Sequence, residues 1–202
     1  MKLGNVASVR SGLVLSRKLS RERSPYCYPL LNLRAIHPDG YILSDDLEEF
    51  HAIESLGQEY LTQQGDIIIR LSIPYTAILI DPYMIGIVVS SNFAIIRSHQ
   101  EQILPEYLLW VLGTPDIKKK IYESSSSNML SAVRPTFFAD LDISLPSLLN
   151  QRKIAQLNLL AKQESRLLKR LAEEKEKYYN IVIDRAQTSM TGGNRLDDQK
   201  RY

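Results

Sequence analysis

The sequence predicts an α+β fold: a compact domain with many short strands and peripheral helices over residues 1–149, then one long coiled-coil helix over 150–187. Three observations predict it. Short apolar runs, rich in Ile, Val and Tyr, crowd residues 28–96 and are punctuated by Pro, Gly, Asn and Asp. From Pro105 the apolar spacing changes to that of a helix, with Tyr107, Leu108, Val111 and Leu112 on one face. From Gln151 to Gln187 there is no Pro and no Gly, and Leu, Lys, Glu, Arg and Ala dominate.

The elements follow in order. Residues 3–9 place apolar side chains at 3, 6 and 9, which fits a short helix or an irregular strand ended by Ser11-Gly12. The basic segment 17–23 reads as an exposed loop that stops at Pro25. Tyr28–Ile36 reads as a strand, His37-Pro38-Asp39-Gly40 as a turn, and Tyr41-Ile42-Leu43 as the returning strand. Residues 45–62 are acidic with weak helical spacing. Gln64-Gly65-Asp66 is a tight turn into Ile67-Ile68-Ile69-Arg70-Leu71, a strand apolar on both faces. Further strands are expected at 75–80, 85–89 and 93–96, and short helices from Pro105 and from Pro115 to Tyr122. Ser124–Ser127 with Asn128 reads as a polar loop, and 141–145 as a last strand. So many short strands imply a compact sheet or a partly closed barrel.

The long helix carries a heptad pattern. Ile154, Ala161, Leu168, Lys175 and Val182 share one core position, and Leu157, Glu164, Leu171, Tyr178 and Arg185 the other; seven of the ten are apolar. Thirty-seven residues span about 55 Å, longer than a small domain is wide. Residues 188–202 read as a disordered tail.

Composition narrows the function. The 202 residues are 44% apolar and 24% charged, the balance of a globular chain. The most apolar region, 67–96, is broken by Arg70 and Asp81, and the N-terminus carries no signal-peptide pattern, so a cytoplasmic location is expected. The net charge is only +2, but it is unevenly distributed. Residues 1–24 hold Lys2, Arg10, Arg17, Lys18, Arg21 and Arg23 against Glu22 alone, a net +5. Residues 39–59 hold seven carboxylates and no Lys or Arg. A domain with separated fields presents one face to a polyanion and keeps the other away.

Catalytic signatures are missing from the sequence: there is no Gly-rich dinucleotide fingerprint, no Walker loop and no His-Glu-x-x-His. The single cysteine, Cys27, excludes an internal disulfide framework and a Cys-based zinc site, and it reads as a small buried hydrophobe. His37, His51 and His99 are scattered and read as ordinary surface or capping residues. Asp66 reads as a turn residue entering a buried strand. No catalytic residue, metal site or cofactor is therefore expected.

Candidate DNA contacts are Arg10 and the loop cations Arg17, Lys18, Arg21 and Arg23, which suit phosphate. Lys118, Lys119 and Lys120, at the end of a short helix, suit phosphate or the helix dipole equally. Ser125, Ser126, Asn128 and Arg134 have the chemistry that reads base edges, and Arg70 and Tyr75 flank a strand-end loop.

Several segments, taken in order, resemble the specificity-subunit family of Type I restriction–modification enzymes. They are Lys2-Leu3-Gly4-Asn5-Val6-Ala7, Tyr28-Pro29-Leu30-Leu31-Asn32-Leu33 followed by Gly40-Tyr41-Ile42, Gly65-Asp66-Ile67-Ile68-Ile69 and Leu104-Pro105-Glu106-Tyr107-Leu108. The most telling is Ile143-Ser144-Leu145-Pro146 leading through Asn150-Gln151-Arg152-Lys153-Ile154-Ala155 into the long helix. The resemblance implies a DNA target-recognition domain at 1–149 and a conserved spacer helix at 150–187. It implies sequence-specific binding of double-stranded DNA with no catalysis by this chain. Partner methyltransferase and restriction subunits would supply the S-adenosylmethionine, ATP and magnesium chemistry. Full-length family members carry two such units and this chain resembles one. A homodimer is therefore expected through Ile154, Leu157, Ala161, Leu168, Leu171, Tyr178 and Val182, with helices antiparallel and an interrupted, inverted-repeat target. A coiled-coil adaptor without sequence-specific DNA binding is the alternative. The segment 70–76 departs from the family's glycine-containing loop, so no DNA contact is transferred there position by position.

Overall fold

A computed structural model describes residues 1–126 and 132–193. Its chain divides into two compact units, Met1–Ala155 and Gln156–Tyr202.

The first unit is built on a four-stranded antiparallel sheet in the order β1-β9-β6-β7, where β1 is Ala7–Ser11, β6 Ile67–Arg70, β7 Ala77–Leu79 and β9 Phe93–Ser98. The central strand behaves as its sequence requires. Ile67, Ile68 and Ile69 are wholly buried because both faces of β6 are covered. Ile67 and Ile69 face a cluster with Leu3, Ile96, Tyr107, Leu108, Ile121 and Phe138; Ile68 faces another with Leu31, Ile78, Phe93 and Ile95. Gly65, at φ +84°, makes the turn into this strand.

A second sheet has the order β5-β2-β8, with β2 Tyr26–Leu31, β5 Glu48–Ala52 and β8 Val88–Val89. It encloses Leu13, Leu30, Phe50, Ala52, Leu56, Leu61 and Val88. Gly12 lets the chain pass into this layer: a Cβ there would lie 2.2 Å from the Ser90 carbonyl oxygen and 2.4 Å from that of Val89. The predicted turn at 37–40 closes a small hairpin between β3 (Ile36–His37) and β4 (Tyr41–Ile42).

Helices cover the first cluster: α1 (Pro105–Leu112), α2 (Pro115–Ser126), α3 (Pro135–Ala139) and the start of α4 (Leu148–Gly193). The junction into α4 is held by Gln151, whose side chain is wholly buried. Its Nε2 donates to the carbonyls of Gln102 at 3.0 Å and Pro146 at 2.9 Å, and its Oε1 accepts from the Leu104 backbone at 2.9 Å. Ser147 caps the helix by accepting from the Asn150 amide at 3.4 Å.

Four local expectations are corrected. The acidic stretch is helical only in the 3-10 turn Ser44–Asp46: Glu48–Ala52 is β5, because Phe50 and Ala52 alternate inward with Glu49 and His51 outward. Residues Ser124–Ser126 continue α2 rather than forming a loop, which also puts Lys118, Lys119 and Lys120 within the helix and not at its end. Residues 141–145 make only an isolated bridge, Lys2 to Asp142, and the short helix before them, α3, is not foreseen. The long helix runs on to Gly193, six residues past the expected end. A run of 46 residues corresponds to about 69 Å.

In the second unit, residues 156–193 continue as a single helix, and the side chains of 156–190 are exposed almost throughout.

Candidate nucleic-acid interface

The basic loop after β1 is anchored by backbone rather than by its charges. The Ser20 amide donates to the His51 carbonyl at 2.8 Å and the Ile53 amide to the Lys18 carbonyl at 2.9 Å, so residues 18–20 run along the outer edge of β5. Arg17, Arg21 and Arg23 are exposed on this anchored loop. Lys18 is half-buried and ion-paired with Glu54, so its charge is already matched inside the domain. Arg10 lies on β1 opposite Ile95 and is exposed.

A second group forms around the β6–β7 hairpin. Arg70 ends β6, half-buried, and its Nε has no hydrogen-bond partner among the described residues. Tyr75 takes a positive φ of 55° in the hairpin turn and rests partly on the main core. The Val133 amide donates to the Leu71 carbonyl at 2.8 Å, which lays the segment before α3 beside this hairpin. Arg134, exposed, is the residue preceding α3. The structure thus gathers Arg70, Tyr75 and Arg134 in one region, although they are far apart in sequence.

The remaining candidates divide. Lys118, Lys119 and Lys120 are exposed on α2. Lys119 lies 4.0 Å from Glu123, and Lys120 shares a surface depression with Glu123, Asp140 and Asp142, which weakens the positive field there. Ser125 is corrected as a contact residue. It is 2% exposed and its hydroxyl donates to the Tyr122 carbonyl at 2.7 Å, so it faces the domain interior. Ser126 is exposed but bonds back to the same carbonyl at 2.8 Å. Asn128 lies outside the described residues.

On the helix, Ile154 is corrected as an interface residue: it packs against the core of the first unit, next to buried Ala155. Leu157, Ala161, Leu168, Leu171, Tyr178 and Val182 are all exposed. The heptad reading also missed Leu160, Leu167 and Ile181, which flank the seam and are 61%, 67% and 51% exposed. Leu160, Leu167, Leu168 and Leu171 line a shallow apolar groove with Gln163 and Glu164.

Two further features escaped sequence reasoning. Asp66 is fully buried and receives both arms of Arg97, Nε and Nη2, at 2.7 Å each, plus the Gln63 amide at 2.9 Å. Its carboxylate pushes the Arg97 pKa above the ordinary guanidinium value, mainly by hydrogen bonding and against the cost of burial. The only sequence signal was an arginine on an otherwise apolar strand. The second correction concerns Cys27: it is exposed, not buried, and lies directly opposite His51 in the β2–β5 ladder.

No family model matches the chain, and no curated protein matches it in sequence. Solved structures do match in fold. The HsdS subunit of Thermoanaerobacter tengcongensis superimposes with a TM-score of 0.69 at 21% identity, over 94% of this chain and 48% of that one. A chain from a structural study of complex assembly and conformational transition of the type I R-M system gives 0.70 at 20% identity, again over 94% and 48%. The Type-I restriction-modification S subunit from M. genitalium gives 0.52 at 15% identity, over 81% and 38%. The class is therefore that of the HsdS fold, a mixed domain followed by a long helix. The structural neighbours of this chain are specificity subunits of type I restriction–modification systems, and it spans about half the length of each of the first two.

Proposed function

We propose that this chain is a half-length specificity subunit that binds double-stranded DNA in a sequence-dependent way and performs no catalysis. The observation that carries the reading is the superposition of 94% of the chain on HsdS folds. The exposed cations Arg17, Arg21 and Arg23 serve as phosphate contacts, which position the protein without reading sequence. Arg134, Arg70 and Tyr75 form the candidate base-reading region, because an exposed arginine suits the paired acceptors of guanine.

In the same reading, methyltransferase and restriction subunits are the protein partners and bring S-adenosylmethionine, ATP and magnesium, while this chain holds none of these three. No described helix is long and apolar enough to cross a membrane. The second unit associates with an identical chain. Its apolar stripe is exposed, and an isolated helix gains little from its sequence alone. Twofold pairing makes that contact self-complementary and closes the assembly.

The test is fluorescence anisotropy on duplex DNA across a salt series. Affinity should fall steeply with salt as phosphate contacts release counterions. Alanine at Arg17, Lys18, Arg21 and Arg23 should lower affinity on all duplexes and reduce the logarithmic salt slope by about one for each exposed arginine removed, with Lys18, paired to Glu54, adding little. Pure chain incubated with DNA, magnesium and S-adenosylmethionine should neither cleave nor methylate. Salt-independent or undetectable DNA binding would favour the coiled-coil adaptor.

A further inference from the structure

We infer that Cys27, Glu49 and His51 form a binding site for one thiophilic divalent cation of the zinc class on the outer face of the β2–β5 ladder. The placement follows from strand geometry. Side chains two apart on a strand share a face, so Glu49 and His51 both point away from the core that takes Phe50 and Ala52. Cys27 is the cross-strand partner of His51, and Pro29 that of Glu49, so the thiol lies on this same outer face. The candidate ligand atoms of the three residues lie within 4.8 Å of one another. Tetrahedral zinc with bonds of about 2.0–2.3 Å needs its ligand atoms about 3.5 Å apart. Side-chain rotation closes that gap without moving the ladder.

The donor set suits such an ion. Sulfur, imidazole nitrogen and carboxylate oxygen are the three protein ligand types of zinc, and three of them leave a fourth position for water. The imidazole is held at its other nitrogen by Ser24: His51 Nδ1 lies 3.4 Å from the Ser24 carbonyl oxygen and 3.5 Å from the Ser24 amide nitrogen, while Nε2 lies 3.7 Å from Glu49 Oε2. Of the two tautomers that Ser24 can hold, the one that donates from Nδ1 to the carbonyl presents the Nε2 lone pair to a metal, and metal binding selects it. Cys27 and Glu49 are exposed, so the ion has free access, and coordination releases the thiol proton to solvent. Ser24 ends the basic segment, and Ser20 is bonded to the His51 carbonyl. A metal here fastens β2 and β5 at the root of the Arg17–Arg23 loop.

The test uses the full chain, stripped with chelator and dialysed against zinc. The expected result is one zinc per chain, with affinity on the order of 1 µM or tighter. Cobalt in place of zinc should show a thiolate-to-metal charge-transfer band. Cys27→Ser should remove that band, and His51→Ala should weaken zinc binding at least about 100-fold. Glu49→Gln should weaken it less, and His99→Ala, outside the cluster, should leave it unchanged. Cys27→Ser replaces an exposed thiol, so it keeps the test valid if His51→Ala fails to fold. Absence of stoichiometric zinc from the wild-type chain would overturn the site. Equal zinc in the wild type and in Cys27→Ser would overturn it too.

Discussion

Asp66 shows how one residue holds two parts of the domain. It sits at the turn into the central strand and binds Arg97 on the neighbouring strand through both carboxylate oxygens. Removing the arginine leaves a fully buried carboxylate with only the Gln63 amide. Arg97→Leu should therefore destabilise the fold by about 3 kcal/mol, since breaking a buried pair strands the other charge. Urea denaturation measures it, and a change under about 1 kcal/mol would mean the pair is expendable. Gln151→Ala should cost about 1–3 kcal/mol by the same measurement, because the Leu104 amide and two carbonyls lose their partner. Sequence reasoning reached Asp66 as a turn residue but not its partner. Pairing across strands depends on register, and register is set by the whole sheet. The neighbourhood of Cys27, which is exposed rather than buried, was hidden for the same reason: it and His51, 24 positions apart, become neighbours only when β2 pairs with β5.

Elements were legible wherever local pattern and final packing agree. The Ile67–Ile69 strand is a short continuous apolar run after a turn, the Pro105 helix and the long helix carry a helical period, and each forms. Glu48–Ala52 did not reveal itself, because five residues with two inward side chains give a weak signal and the surrounding acids mimic a helical surface. The Ser124–Ser126 turn of α2 was hidden by composition: serine favours loops, but Ser125 satisfies its hydroxyl within the helix. In the second unit, the apolar stripe from Leu157 to Val182 remains uncovered in the single chain. Leu168→Glu with Leu171→Glu should convert a dimer to a monomer at tens of micromolar, as measured by light scattering. A wild-type monomer under those conditions would refute self-pairing and point to a different half subunit. Direction is set more weakly. Antiparallel pairing brings Arg152 and Lys153 towards Glu173 and Glu176, whereas Glu174 already pairs with Lys177 at 2.9 Å on its own helix. Such exposed pairs contribute well under about 1 kcal/mol each, so burial of the leucines drives association.

At the scale of the whole molecule, the sheets and helices scatter the sequence candidates into separate groups. Arg17, Arg21 and Arg23 hang from β5; Arg70, Tyr75 and Arg134 lie on segments joined at the β6–β7 hairpin by the Val133–Leu71 backbone bond; Lys119 and Lys120 of α2 lie beside acids. The first group should govern affinity and the second preference. Arg134→Ala should change discrimination between duplexes by about 1–3 kcal/mol while leaving binding to unrelated DNA nearly intact. The fold class and the long helix could be read from the chain because hydrophobic period fixes them. Which cations share a surface could not, because that depends on strand order. The central claim, sequence-dependent binding of duplex DNA, is tested most directly by selecting bound molecules from a random duplex library at near-physiological salt and sequencing them. A defined motif, enriched over successive rounds and lost in the Arg134→Ala variant, is the predicted result. A library that stays random while the protein still binds it would contradict the claim.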